Sequence, residues 1–209
     1  MPGSSKKGKW LISKWFESIP RKKCVLDIGP GWGTYSRLLK KEGEIWHAVE
    51  IHKPYVERFK LHALYEKIFI ADVRKFIPNR KYDVIIFGDV LEHMVKEEVI
   101  NVLKRLQMYT SYIIISLPLD AETHAPRGTG DIDWKNPYEL HVSSWSNKEL
   151  INLLCKLDLE IISMEKYYEI AVYLLASSET KGFLNETTPR LMDWIIFRST
   201  RRYKNEIYE

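Results

Sequence analysis

The chain has 209 residues, of which 45% are hydrophobic and 12% aromatic, which describes one globular domain with a proper core rather than a disordered or fibrous chain. No apolar run approaches the ~20 residues that span a bilayer, the N-terminus lacks the apolar stretch of a secretion signal, and the two cysteines, Cys24 and Cys155, cannot build a disulfide framework and, beside apolar segments, read as small core residues. The net charge of +4 sits at the ends: residues 1–23 carry seven Lys and Arg against Glu17, and residues 190–209 carry five against Asp193, Glu206 and Glu209, which leaves the middle mildly acidic.

Residues 1–9 read as a flexible leader, and Trp10 to Ile19 as a short amphipathic helix closed by Pro20. Lys23 to Ile28 is a buried strand that meets a tight turn, Gly29-Pro30-Gly31-Trp32-Gly33. Without Cβ atoms, Gly29, Gly31 and Gly33 let the backbone bend sharply and let a ligand lie against it. Thr34 to Lys41 then supplies a helix whose first N–H groups face that turn. Glycine also serves such turns for structural reasons alone.

Glu44 to Val49 is a second strand ending at Glu50, and Pro54 to Leu64 a second helix with proline in its first turn. Ile68 to Ala71 is a third strand ending at Asp72 and Val73. Tyr82 to Phe87 is a fourth, followed by Asp89-Val90-Leu91-Glu92-His93. Val99, Val102, Leu103 and Leu106 recur at helical spacing within Lys96 to Met108, and Tyr112 to Leu117 is a fifth, apolar strand. Strands alternating with helices in this way imply a parallel sheet covered on both faces.

Residues 118–145 break the rhythm with Pro, Gly, Asp and His, too long a stretch for an ordinary connection, and read as a lid insertion. Ser146-Asn147-Lys148-Glu149 is a capping box for a helix running to Leu157. Leu159 to Met164 and Ile170 to Ser177 are strand-like runs joined by five residues, a spacing that suits an antiparallel hairpin and not a crossover. The expected fold is α/β, a doubly wound seven-stranded sheet, mostly parallel, with a terminal antiparallel hairpin strand. Residues 10–178 form this domain, and 179–209 a helical extension in which Leu191, Trp194, Ile195 and Arg198 share a face that docks on the core, on a second copy in a homodimer, or on an anionic membrane surface.

The ordered motifs resemble class I S-adenosylmethionine-dependent methyltransferases over about Cys24 to Ser177. Asp27-Ile28-Gly29-Pro30-Gly31-Trp32-Gly33 looks like the family's glycine-rich loop around the methionine part of the cofactor. Glu50 sits where the family's acid binds both ribose hydroxyls, and Asp72, with Val73 beside it, where the adenine amino group is met. Asp89-Val90-Leu91-Glu92-His93 resembles the segment that flanks the sulfonium and the acceptor. The resemblance thus implies S-adenosyl-L-methionine as cofactor and Asp27, Gly29, Gly31, Gly33, Glu50, Asp72, Val73 and Asp89 as its binding set. A doubly wound sheet binds ligands outside the carboxyl ends of its strands, where these acids fall; each acid alone could equally open a loop or cap a helix. A nicotinamide-dinucleotide site is the competing reading, but its Gly-x-Gly-x-x-Gly would need a glycine at Thr34.

The donor sulfonium is already activated, so alignment for in-line displacement carries much of the catalysis. A hydroxyl acceptor benefits from a general base. His141, in the segment Asn136 to Trp145, is the first candidate, His93 the second, and Asp120 and His124 follow. His141 could instead tie its loop down, and His93 could only cap a helix. Trp134, Tyr138 and Trp145 offer flat faces suited to a sugar ring, or a small core for the lid itself. The Asn136 to Trp145 stretch faintly resembles lids of methyltransferases that accompany glycosyltransferases in surface-glycan synthesis, which leans toward a glycan or other small hydroxylated acceptor. The mild acidity of the middle argues against nucleic acid. Methylation of RNA or protein, and a non-catalytic binding partner with this fold, are the alternatives. Asp120, Glu122, His124, Asp131, Asp133, Glu139 and His141 crowd one segment of the kind that can hold Mg²⁺, yet without fixed ligand spacing, so no metal is assigned.

Overall fold

The computed structural model describes residues 6–19, 24–121, 136–178 and 180. Among these residues five α-helices, α1 (Lys9–Ser18), α2 (Thr34–Leu39), α3 (Lys53–Arg58), α4 (Lys96–Leu106) and α5 (Asn147–Lys156), accompany seven strands: β1 (Cys24–Ile28), β2 (Ile45–Glu50), β3 (Lys67–Ile70), β4 (Tyr82–Gly88), β5 (Thr110–Pro118), β6 (Glu160–Tyr167) and β7 (Ile170–Ala176). These strands form one sheet in the order β3-β2-β1-β4-β5-β7-β6. β1 to β5 pair in parallel, and β7 runs antiparallel between β5 and β6. The expected architecture is present, down to the single reversed strand.

The inner strands β4, β5 and β7 are mostly apolar because both faces are covered, whereas the edge strands β3 and β6 carry exposed Lys67 and Lys166. Ile85 and Phe87 of β4 pack into the layer with Val99, Leu103 and Leu154, while Val84 and Ile86 pack into the opposite layer with Trp15, Phe16 and Leu39. Side chains alternate sides along a strand, so one apolar run feeds both cores. Strand order reverses between β1 and β4, which are hydrogen-bonded neighbours with Leu26 opposite Ile85 and Ile28 opposite Phe87. The mouth of a ligand cleft belongs at that reversal.

Local signals hold in detail. Ser146 Oγ accepts from the Glu149 N–H at 3.2 Å and Glu149 Oε2 accepts from the Ser146 N–H at 3.0 Å, a closed capping box. The hairpin is tighter than five residues, because β6 runs on to Tyr167 and only Tyr168, at φ 55, and Glu169 turn the chain. Three expectations need correction. Lys9 is not leader: it opens α1 with its side chain buried, and Lys7 pairs with Glu169 at 2.5 Å. Cys24 is buried, but Cys155 is exposed on α5. Trp145 is 2% exposed inside the core, its Nε1–H donating to Ser143 Oγ at 2.9 Å, and so presents no face to a sugar. No helix among the described residues is long and apolar enough to cross a membrane. Residues 179 and 181–209 of the extension and half of the 118–145 insertion (122–135), with Glu122, His124, Asp131, Asp133 and Trp134, lie outside the described residues.

Candidate active site

A cleft of about 780 Å³ opens at the carboxyl ends of the strands. Its floor begins where β1 ends. The Gly29 N–H donates to the Val49 carbonyl at 2.9 Å, and Gly29, Gly31 and Gly33 all take positive φ, at 61°, 50° and 72°. At Gly33 the turn favours glycine, since any other residue would be strained at this φ and its Cβ would sit 2.4 Å from Leu64 Cδ1. Asp27 lies beneath this loop and does not line the cleft. Its Oδ2 accepts from the Tyr65 hydroxyl at 2.6 Å and its Oδ1 has no partner among the described residues; burial pushes the carboxyl up to about 7 despite the Tyr65 bond.

Glu50 ends β2, is 4% exposed, and lines the cleft. The His52 N–H donates to its Oε1 at 2.7 Å. Burial raises the group to about 7; backbone bonds from His52, Gly31 and Ile51 oppose the rise, and the charge of Glu139 adds to it. The glycine loop and this carboxyl therefore meet at one wall. Asp72 follows β3 and also lines the cleft, but Arg74 claims both of its oxygens, Nε lying 2.9 and 2.8 Å away. Burial pulls Asp72 upward, yet those bonds outweigh it and hold the carboxyl below its ordinary value. Val73 completes this edge, its side chain nearly buried.

Asp89 follows β4 in a left-handed conformation, φ 57, that few residues other than Gly, Asn and Asp tolerate. Its N–H donates to the Ser116 carbonyl at 2.7 Å and the Ser116 hydroxyl donates to Oδ1 at 2.9 Å, which fixes the turn against β5. A 3-10 turn at Leu91–His93 comes next. Its Glu92 carbonyl accepts from the Val142 and Ser143 N–H groups at 2.9 and 3.1 Å, stapling the far end of the insertion to the end of the central strand. That staple brings His141 beside His93, ring centroids 5.0 Å apart, both in the cleft. The insertion is also held by the Tyr55 hydroxyl, which donates to Glu139 Oε1 at 2.7 Å. Asp120 is exposed outside the cleft lining, its N–H bonded to the Trp145 carbonyl, and does not join the histidines.

The methyltransferase-domain family profile matches residues 9–164, three quarters of the chain. The chain belongs to that family. It is a class I S-adenosylmethionine-dependent methyltransferase, and the dinucleotide reading falls away. Among proteins of curated function none matches the chain in sequence. Solved structures share the fold at low identity. An S-adenosylmethionine-dependent methyltransferase from Clostridium acetobutylicum superposes with TM-score 0.63 at 16% identity, covering 82% of this chain and 92% of its own. The mitomycin 7-O-methyltransferase MmcR gives 0.59 at 17%, covering 82% of this chain, although the match spans only 54% of that longer protein. The N-terminal domain of EvdMO1, solved with SAH and D-fucose, gives 0.57 at 16% with 84% of each chain covered.

Several residues of this methyltransferase site escaped the sequence reading. Lys9 is buried, its Nζ donating to the Tyr35 hydroxyl at 2.6 Å; burial lowers its pKa, against the pull of Asp89 and Asp27. Tyr35 in turn lies over Gly88, where an added Cβ would fall 1.9 Å from its ring. Glu92 was visible only as part of its motif, yet it is 1% exposed, lines the cleft, and keeps Oε2 without a partner among the described residues. A charged residue one step before a candidate histidine was the available signal. Tyr55 gave none.

Proposed function

We propose that this methyltransferase moves the methyl group of S-adenosylmethionine to a hydroxyl of a small acceptor, a sugar before other classes. In this reading the glycine loop at 29–33 carries the methionine part of the cofactor, and Glu50 accepts hydrogen bonds from the ribose diol. The edge at Asp72 and Val73 meets the adenine; with the Asp72 oxygens on Arg74, backbone and apolar contact carry most of that recognition. Asp89 faces the sulfonium side.

The pair of histidines in the cleft at the end of β4, the strand next to the glycine loop, is the observation that carries the acceptor half. His93 Nδ1 lies 3.0 Å from the Leu140 carbonyl, so it holds the ring proton and leaves Nε2 as a bare acceptor. Burial lowers the His93 pKa from 6.5, so the ring is neutral at pH 7 and able to take a proton. The acceptor oxygen attacks the methyl carbon, the carbon–sulfur bond breaks with its electrons going to sulfur, and the hydroxyl proton leaves toward His141 or His93. Cleft volume falls in the small-molecule range. Tyr138, 44% exposed, offers an aromatic face at its wall, and Glu139 and Glu169 line the same cleft, a mixture that suits a sugar ring. The D-fucose in the EvdMO1 domain points the same way.

Incubating the protein with S-adenosylmethionine and a panel of sugars and small hydroxylated compounds, read by mass spectrometry, tests the proposal. A one-methyl gain on such an acceptor that tolerates added salt is expected. Transfer confined to RNA or protein, with binding that falls steeply as salt rises, overturns the acceptor class; absence of cofactor binding by calorimetry would favour a non-catalytic partner.

A further inference from the structure

We propose that Glu92, His93 and His141 form a binding site for one divalent first-row cation, of the Mn²⁺ or Zn²⁺ kind. The three side chains each offer a ligand atom, and these atoms lie within 4.8 Å of one another. Two imidazoles and a carboxylate are a donor set for such ions rather than for Mg²⁺ or Ca²⁺, which prefer oxygen alone. Ligands around one ion at about 2.1 Å stand about 3–3.5 Å apart, so small side-chain rotations close the set. The ion would keep open positions toward the cleft, which all three residues line.

Two independent observations point to a ligand here. Glu92 Oε2 is enclosed by protein and yet has no hydrogen-bond partner among the described residues. A carboxylate oxygen in that state is costly unless a cation or donor answers it. Second, the Leu140 carbonyl sits on His93 Nδ1 at 3.0 Å, the outer-shell arrangement that fixes a ligating imidazole and turns Nε2 inward. The backbone staple from the Glu92 carbonyl to residues 142 and 143 fixes where His141 approaches the other two. None of this draws on the acid-rich part of the insertion.

The catalytic consequence rests on the methyl-transfer reading above; the binding site itself does not. An acceptor hydroxyl ligated to the ion loses its proton to water more readily, and the resulting oxygen attacks the methyl carbon while the carbon–sulfur bond breaks toward sulfur. His141 then serves as a ligand rather than as the base.

Chelator-treated protein titrated with MnCl₂ and followed by electron paramagnetic resonance should bind one ion per chain. In wild-type protein that ion should broaden the ring NMR signals of His93 and His141 while leaving the exposed His62 sharp. Glu92→Gln and His141→Asn should each weaken binding by at least about tenfold, with S-adenosylmethionine binding retained as the check on folding. No stoichiometric binding, broadening spread over all histidines, or undiminished affinity in variants that still bind cofactor would overturn the site. Methyl transfer that is lost with chelator and restored by Mn²⁺ supports the catalytic half; stoichiometric binding without that dependence refutes it and leaves the site standing.

Discussion

Glu50→Gln should make the free protein more stable and its hold on the cofactor weaker, and the two effects can be sized separately. The folded chain keeps the Glu50 proton to about 7 where an exposed glutamate would release it near 4.5. The folded state therefore binds more protons than the unfolded state between those values, so the stability this group contributes is fully present below pH 4.5 and is lost as pH rises through 7. At about 1.4 kcal/mol per pH unit the ionised carboxylate costs up to about 3 kcal/mol at pH 8. Glutamine keeps the shape and removes the charge. Urea unfolding should show little difference between variant and wild type at pH 4.5 and a growing advantage to the variant, up to that limit, by pH 8. Calorimetry at pH 8 should show the reverse for S-adenosylmethionine, a loss of about 1–3 kcal/mol, the range for removing a charged hydrogen-bonding partner. Equal cofactor affinity in the two proteins at pH 8 would remove Glu50 from the site, and equal stability at every pH would remove the buried charge.

Further outcomes are expected elsewhere. His141→Ala should lower turnover ~10²-fold or more with cofactor binding intact, whether the ring acts as base or as ligand; single-turnover assays with calorimetry separate the two readouts. Gly88→Ala should destabilise the fold by about 1–3 kcal/mol in thermal melts, since its methyl would collide with the Tyr35 ring that Lys9 holds in place; an unshifted melt would show that Tyr35 moves freely. Trp145→Ala should cost about 3–5 kcal/mol by denaturant titration because the ring is core. If its loss instead spares stability and abolishes acceptor binding, the ring belongs to the acceptor after all.

What the sequence made legible was what depends on short-range order. Apolar runs closing at Gly29, Glu50 and Asp72 located the strand ends to within about two residues, because strand termini and turn glycines leave local signatures. Ser146 and Glu149 announced a helix start three residues apart. The reversed β7 followed from a connection too short to cross over. Contacts between distant segments were not legible. Lys9 was read as leader because its burial depends on Tyr35, 26 residues on. Trp145 stayed open between a ligand-binding face and core because its neighbours in sequence are polar, while its neighbours in space are β-strand and helix side chains. The Glu92, His93 and His141 cluster needed the Glu92 carbonyl to meet two N–H groups 50 and 51 residues away, a pairing that no periodicity encodes.

The way the insertion is tethered bears on how such an enzyme changes what it acts upon. One end is bound where the Asp120 N–H meets the Trp145 carbonyl, and the other where the Val142 and Ser143 N–H groups meet the Glu92 carbonyl. The chain between Ala121 and Asn136 thus starts and ends at fixed points of the described fold. On the acceptor reading proposed above, exchanging that stretch for an unrelated one of another length should change the acceptor, like changing a bit in a chuck. The expected signature is an altered acceptor preference with an unaltered dissociation constant for S-adenosylmethionine.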